Sequence, residues 1–568
     1  MIQENFIRLF EDSFRNNWEL PAYSNYGEDV TLTYAEVAAQ IAKLHILFEQ
    51  CNVEPNDKIA LVGRNNANWA ITYLATVTYG AIIVPVLQDF NANDIHHITN
   101  HSESKLLFAG DAVWENLEEE KLTTVKAVFS LTNFACVALL NKKIASELPE
   151  SNDDGLELDS IHFDRINQLF KEKYPYGFVR DSVRYLDKSN FEIVSINYTS
   201  GTTGFSKGVM TSGNALAGNI TFGFRTKLIA PQYRIISFLP LAHAYGCAFE
   251  FLTSTCAGCN IHFIGKTPSP KILLKAFADI KPNVIFCVPL IIEKIYKKQI
   301  QPLLAKPSMR WALSIPFLDQ PVLGQIRKKL IDAFGGEFSE IVVGGAPLNA
   351  EVEDFFNKIK FPFTVGYGMT ECAPLISYSP AKEFIPKSSG KLLDIMEAKI
   401  VEPDPVTGVG EVCVRGENVM SGYYKNEEAT AQIIDRDGWL RTGDLGTVDE
   451  DGNIFIRGRN KTMILSASGQ NIYPEEIEAK LNNMPYVMES LVVENNGKLM
   501  ALVCPDYEAV DAEVIDHFQL ENLMEENRKQ LNAMVANYEG FSKIQLYPHE
   551  FEKTPKKSIK RYLYSTSN

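Results

Sequence analysis

Ten consecutive residues, Thr199-Ser200-Gly201-Thr202-Thr203-Gly204-Phe205-Ser206-Lys207-Gly208, carry five hydroxyls, three glycines and one lysine. So little side-chain bulk lets successive backbone N–H groups and hydroxyls turn inward, into a concavity that suits a polyanion. Lys207 adds a cation on a flexible stem, so phosphate is the guest these residue types favour. The spacing is not that of a Walker A loop, which would need Gly-Lys where Ser206-Lys207 stands. A solvated Ser/Gly linker fits poorly after the apolar run Ile193-Val194-Ser195-Ile196 and around a lone lysine.

Further clusters could serve the same ligand. Gly344-Gly345-Ala346-Pro347 follows the apolar run Ile341–Val343, and glycines there admit a flat ligand against the backbone. Gly366-Tyr367-Gly368-Met369-Thr370-Glu371 offers an aromatic face, a hydroxyl and a carboxylate in one short segment. A carboxylate beside a phosphate loop makes most sense with a divalent cation between them, and Mg²⁺ is the usual one. Asp437-Gly438-Trp439-Leu440-Arg441-Thr442-Gly443-Asp444 puts an acid just after a tight turn, where it can grip ribose hydroxyls. Arg459, after Ile454–Ile456, can meet the same nucleotide. Singly, each has a structural explanation: a turn glycine, a core tyrosine, a capping aspartate. Together and in this order they do not.

These residues need a scaffold, and the chain supplies one. From Lys58 to about Thr370, short β-branched runs alternate with helical stretches. Strands are expected at Ile59–Val62, Ala81–Val86, Leu106–Phe108, Ala127–Leu131, Ile193–Asn197, Ile235–Leu239, Ile261–Ile264, Val284–Val288, Ile341–Val343 and Phe363–Val365. Helices are expected at Ala35–Glu49 and Asn68–Thr78. This rhythm predicts an α/β fold of parallel sheets covered by helices, with ligands at the carboxyl ends of strands. Leu140–Tyr185 is more polar and less periodic, and Glu147–Gly155 reads as an acidic surface loop. After Met396, turn residues and alternating strands indicate a β-subdomain, and Arg457–Thr462 reads as a hinge. Pro474–Asn482 and Leu520–Ala536 read as helices, and Ser490–Cys504 as a hairpin, giving a small α+β domain. The expected division is a large N-terminal domain, residues 1–460, and a C-terminal domain, residues 461–568.

A chain of 568 residues exceeds one ordinary core, and 45% hydrophobic with 22% charged residues is a globular composition. A net charge of −16 argues against nucleic acid, which needs a basic face, and leaves small anionic substrates open. Neither a signal peptide nor a membrane-spanning run is evident, so a cytoplasmic protein is expected, with any membrane contact peripheral. Nine scattered cysteines suit a reducing compartment, and the lone Cys256-x-x-Cys259 reads as free thiols rather than a metal site. His96-His97 and His101 read as surface residues of a helix.

Thr199–Gly208, Gly344–Pro347, Tyr367–Glu371, Asp437–Asp444 and Gly458–Lys461 with Ser468–Pro474 resemble, in order and spacing, the core motifs of the adenylate-forming superfamily. That group includes acyl-CoA synthetases, peptide-synthetase adenylation domains and firefly-type luciferases. The Asp-Gly-Trp-Leu-Arg-Thr-Gly-Asp-Leu-Gly run, 437–446, looks most like the fatty acyl-CoA synthetase signature, and Trp311–Ala333 resembles the helical insertion of long-chain enzymes. The resemblance implies two steps: a carboxylate attacks the α-phosphate of ATP and expels pyrophosphate, then the CoA thiol attacks the acyl carbon and expels AMP. It implies that Thr199, Ser200, Gly201, Thr202, Thr203, Gly204 and Lys207 embrace the β- and γ-phosphates. Tyr367, followed by Gly368, would stack on adenine beside the Gly344, Gly345, Ala346 and Pro347 backbone. Thr370 would bond the α-phosphate, Glu371 would hold Mg²⁺, and Asp444 and Arg459 would bind ribose. His243 matches the position lining the substrate carboxylate, against the alternative of a satisfied core histidine. Lys461 matches the hinge about which a mobile C-terminal domain rotates, and Gly469 would border the pantetheine passage.

Two positions depart from the pattern. Ser206 stands where a proline usually precedes the lysine, which loosens the loop without removing a ligand. The catalytic lysine expected three residues after Thr554-Pro555 falls at Ser558, flanked by Lys556, Lys557 and Lys560. A one-residue shift makes Lys557 the candidate, with Lys560 next. The expected function is joining a fatty acid, expected to be long-chain, to CoA with ATP and Mg²⁺. The alternatives are an acyl-AMP enzyme loading a separate carrier protein and a non-catalytic acyl or nucleotide binder.

Overall fold

Short apolar runs become strands, and the amphipathic stretches between them become helices, in a computed structural model. It describes residues 2–140, 158–199, 207–266, 268–315, 319–465, 471–495, 498–536, 539–554 and 559–564. The predicted strands distribute over three sheets. The largest has eight strands, with Ile193–Thr199, Ile82–Val86, Lys58–Val62, Ser104–Ala109 and Ala127–Ser130 running parallel. Cys136–Leu139 closes one edge antiparallel, while Lys207–Ser212 and Gly422–Tyr423 extend the other. In a second sheet, Arg234–Ser237 and Asn260–Phe263 run parallel with Pro21–Asn25, and Thr31–Thr33 joins antiparallel. Ile285–Cys287, Ile341–Val343 and Phe363–Val365 form a third, wholly parallel sheet.

Local chemistry starts the helices where the periodicity places them. Thr33 and Glu36 form a reciprocal capping box at the head of Tyr34–Gln50. Asn66 accepts from the Trp69 N–H at 2.8 Å to cap Ala67–Tyr79. That helix is buried almost all round, between sheet and outer helices.

Two features differ from the sequence reading. The polar stretch after Leu140 contains a helix, Leu158–Lys173. Its neighbour in sequence, the Glu147–Gly155 reading, lies outside the described residues. His96 is buried, with Nε2 accepting from the Glu118 N–H at 3.0 Å, rather than exposed on the helix Ala92–His101.

The β-subdomain is an antiparallel sheet of Met396–Val401, Gly410–Gly416, Leu440–Val448 and Ile454–Arg459. Beyond it, Ile472, Ile477, Leu481, Val492, Leu499, Val503, Leu520 and Phe541 pack into a core of their own. Near the chain end, the Arg561 guanidinium pairs with Glu478 of the helix Pro474–Leu481. Burial pushes the Glu478 carboxyl up to about 7, against the pull of Arg561. None of the cysteines forms a disulfide. Among the described residues, no helix is long and apolar enough to cross a membrane.

Candidate functional site

The parallel sheet Ile285–Cys287, Ile341–Val343, Phe363–Val365 delivers two of the glycine clusters at the carboxyl ends of neighbouring strands. Gly344 follows one strand and donates its N–H to the Cys287 carbonyl at 3.0 Å, while Gly366 follows the next and donates to Val343 O at 2.9 Å. A Cβ on Gly344 would lie 3.2 Å from the ring of Tyr245, whose hydroxyl donates to Val342 O at 2.9 Å. A side chain there would press the ring back by a few tenths of an ångström. Gly345, Ala346 and Pro347 are exposed beyond it.

Tyr367 and Gly368 pair antiparallel with Leu375–Ser377, and Thr370 and Glu371 continue into a 3₁₀ turn, Thr370–Cys372. Tyr367 donates its hydroxyl to Asp444 Oδ2 at 2.7 Å. Asp444 lies opposite Arg459 across two antiparallel strands, and the Arg459 Nε stands 3.0 Å from Asp444 Oδ1. Asp444 is buried, whereas the Arg459 side chain is two-thirds exposed. Burial raises the Asp444 carboxyl above the ordinary aspartate range, and Arg459 and the Tyr367 hydroxyl pull it back. The adenine and ribose candidates therefore form one hydrogen-bonded unit, assembled from the α/β region and the β-subdomain.

A second unit forms at the edge of the large sheet. Thr199 and Lys207 are antiparallel partners at the ends of the two strands that flank the hydroxyl-rich loop. The candidates Ser200, Gly201, Thr202, Thr203 and Gly204 lie outside the described residues, as do Gly469 and Lys557 with Ser558. The Lys207 Nζ rests 4.9 Å from the centroid of the Tyr423 ring, and the Tyr423 hydroxyl donates to Glu371 Oε1 at 2.9 Å. Burial, together with the Glu371 carboxylate, pushes the Tyr423 phenol well above its usual range. Among the described residues, no group of three or more His, Cys, Asp or Glu could cage a metal. A lone half-buried carboxylate fits Mg²⁺, which keeps waters and takes substrate phosphates around one or two protein carboxylates.

His243 is half-buried in the turn after Pro240, and its Nδ1 accepts from the Tyr245 N–H at 3.3 Å. Two buried side chains fasten the turn. Asn65 donates to Leu239 O at 2.7 Å and accepts from the Leu241 N–H at 3.1 Å, and Glu250 accepts from the Leu239 N–H. Glu250 sits in a π-helical segment, Gly246–Thr253, fully buried, and burial raises its carboxyl well above the usual range. Lys461 is exposed, in a turn where the Thr462 and Met463 N–H groups donate to Arg459 O. Lys560 pairs with Glu552 at 3.3 Å.

Asn65, Glu250 and Tyr423 were not singled out from sequence. A lone asparagine and a Gly-Tyr-Tyr run carry no signal of their own, because Asn65 and Tyr423 find their partners far along the chain; Glu250 meets Leu239 only 11 positions away, but a glutamate in an apolar stretch does not reveal a backbone partner.

The AMP-binding enzyme family matches residues 10–424. The chain is 28% identical over 572 residues to Long-chain-fatty-acid–CoA ligase FadD15 of Mycobacterium bovis, covering 93% of this chain and 90% of that protein. It is 24% identical over 528 residues to Long-chain-fatty-acid–CoA ligase ACSBG1 of Rattus norvegicus, covering 86% of this chain and 67% of that one. The fold superposes on ATP-bound MatB from Rhodopseudomonas palustris with a TM-score of 0.72 at 21% identity, covering 99% and 98% of the two chains. It superposes on the anthranilate CoA ligase AuaEII in complex with anthranoyl-AMP with a TM-score of 0.76 at 18% identity, over 99% and 97%.

Proposed function

Because the chain belongs to the AMP-binding enzyme family, we propose that it is an AMP-forming acid–thiol ligase that joins a fatty acid to CoA through an acyl-adenylate. The observation that carries this reading is the joined pair of units around Tyr367–Asp444–Arg459 and Lys207–Tyr423–Glu371. One offers an aromatic face and a carboxylate–guanidinium pair to a nucleoside; the other offers a cation and a carboxylate to phosphates and Mg²⁺.

The roles follow from charge and position. A free carboxylate is a poor acyl donor because its leaving group would be oxide. Adenylation replaces oxide by AMP. The substrate carboxylate oxygen attacks the α-phosphorus, and the bond to the β-phosphate oxygen breaks, releasing pyrophosphate. Thr199, Lys207 and the loop from Ser200 to Gly204 hold the β- and γ-phosphates in line, and Thr370 bonds the α-phosphate. Glu371 would hold Mg²⁺, which when bound neutralises charge on the phosphate oxygens. Tyr367 stacks on adenine along the Gly344–Pro347 backbone, and Asp444 with Arg459 takes the ribose hydroxyls. His243 faces the substrate carboxylate. Lys557 steadies carboxylate and α-phosphate in place of the lysine expected at Ser558. In the second step the CoA sulfur attacks the acyl carbon and AMP leaves.

We take residues 1–460 and 461–568 as the two domains, supported by the separate core after Ile472. Rotation at Lys461 would exchange Lys557 for Gly469 and the pantetheine passage between steps. A long acyl chain is favoured by the relatives' names, and a cytoplasmic site of action by the expectation from sequence.

The test is AMP formation from ATP and Mg²⁺, with and without CoA, across acetate, octanoate and palmitate. AMP accumulating with CoA and palmitate is the expected result. Turnover only with an added carrier protein would replace CoA as acceptor. ATP binding with no AMP from any acid would reduce the protein to a binder and make Ser558 a true loss.

A further inference from the structure

Tyr423 touches two residues of the proposed phosphate site at once. Its hydroxyl donates to Glu371 Oε1 at 2.9 Å, and its ring carries the Lys207 Nζ at 4.9 Å from the centroid. The side chain is only 7% exposed, so neither contact is a loose surface encounter. The backbone holds it there. Gly422–Tyr423 pairs antiparallel with the strand that begins at Lys207, placing Tyr423 opposite Val209. The Tyr424 N–H donates to Gly208 O at 2.7 Å, and the Met420 N–H to Glu371 O at 2.8 Å. One short segment is thereby fastened to the strand that leaves the phosphate loop and to the backbone of Glu371.

An ammonium and a carboxylate that share one aromatic neighbour carry opposite charges, and a lysine and glutamate paired directly would have to separate before either could meet a ligand. A phenol between them changes that balance. Its ring face attracts the ammonium and its hydroxyl satisfies one carboxylate oxygen, leaving the other oxygen to a metal. Resting on the proposed function, we propose that Tyr423 is a positioning residue of the adenylation site. It holds Glu371 by its hydroxyl and Lys207 on its ring, and keeps the two charges apart until Mg²⁺ and the nucleotide phosphates arrive.

Calorimetric titration with ATP, with and without Mg²⁺, tests this on the full chain. Tyr423→Phe keeps the ring and removes the donor. It is expected to weaken binding in Mg²⁺ about tenfold while leaving Mg²⁺-free binding within about twofold. Tyr423→Leu removes both contacts and is expected to weaken binding in both conditions. Tyr486→Phe deletes a comparable tyrosine–glutamate hydrogen bond, Tyr486 to Glu513 Oε2 at 2.5 Å, within the C-terminal unit, and should move neither affinity. If Tyr423→Phe lowers the unfolding temperature but leaves the Mg²⁺ dependence of ATP binding at the wild-type value, the residue is structural and the inference is wrong. Should Tyr423→Leu not fold, Tyr423→Phe decides alone. A wild-type protein that binds no ATP would overturn the functional reading itself, a result distinct from an unaltered Tyr423→Phe variant.

Discussion

At the residue scale, the site's chemistry is set by how neighbours treat each ionisable group. Asp444 must be ionised to accept from two ribose hydroxyls. Burial opposes that ionisation, while Arg459 and the Tyr367 hydroxyl favour it. Because its carboxyl is raised in the folded protein, ATP affinity should be full at neutral to alkaline pH. It should fall as pH drops through a midpoint above that of an ordinary aspartate. Tyr367→Phe keeps the aromatic face but removes a bond that favours the ionised form, so the midpoint should move higher still. Asp444→Asn should abolish this dependence and weaken binding about tenfold or more. ATP titrations between about pH 5 and 8 check both; a midpoint that moves down in Tyr367→Phe would refute the assigned role of the hydroxyl.

At the scale of elements, the site depends on backbones that approach closely. The segment Tyr367–Gly368 lies against the strand Leu375–Ser377, and a Cβ on Gly368 would fall 2.2 Å from the Pro374 carbonyl oxygen. Backbone cannot yield as a flexible side chain can. Gly368→Ala should therefore cost about 1–3 kcal/mol of stability, as overpacking does, and weaken ATP binding by displacing Tyr367. Thermal unfolding together with nucleotide titration measures both; unchanged affinity would mean that Tyr367 is not placed by this contact. The His243 turn is held both by its own His243-to-Pro240 backbone bond and by Asn65 and Glu250 from outside it.

At the scale of the whole molecule, polar contacts between the two proposed domains, among the described residues, include the Arg457–Glu476 ion pair at 3.6 Å. Asn349 donates to Ala479 O at 3.1 Å and to Asn483 Oδ1 at 2.7 Å, and the Lys297 Nζ donates to Asn482 O at 2.5 Å. An interface of this kind can open, which a two-step reaction with one mobile domain requires. Lys461→Pro fixes φ within the turn Arg459–Met463 and restrains Asn460 as well. The adenylation half-reaction, followed by pyrophosphate exchange, should stay within about threefold of wild type, while CoA-dependent release falls on the order of tenfold or more. Equal losses in both halves would remove Lys461 from its hinge role.

Much of this was legible from residues alone, for local reasons. A short β-branched run bounded by glycines or prolines favours a strand over a helix, and the strands Ile341–Val343 and Phe363–Val365 stand where they were expected. The motif order carried the family because each motif's chemistry is concentrated in a few adjacent residues. The helix Leu158–Lys173 escaped because its sequence is polar and shows no clean apolar stripe, although Ile166 is buried. His96 escaped because its partner, the Glu118 backbone, comes from a separate segment. Tertiary structure alone decided which distant groups meet. Tyr367 finds Asp444 across 77 positions, and Tyr423 finds Glu371 across 52. Backbone preferences and periodicity act over a few residues and leave such meetings open; sheet register and the packing of the β-subdomain against the α/β core settle them.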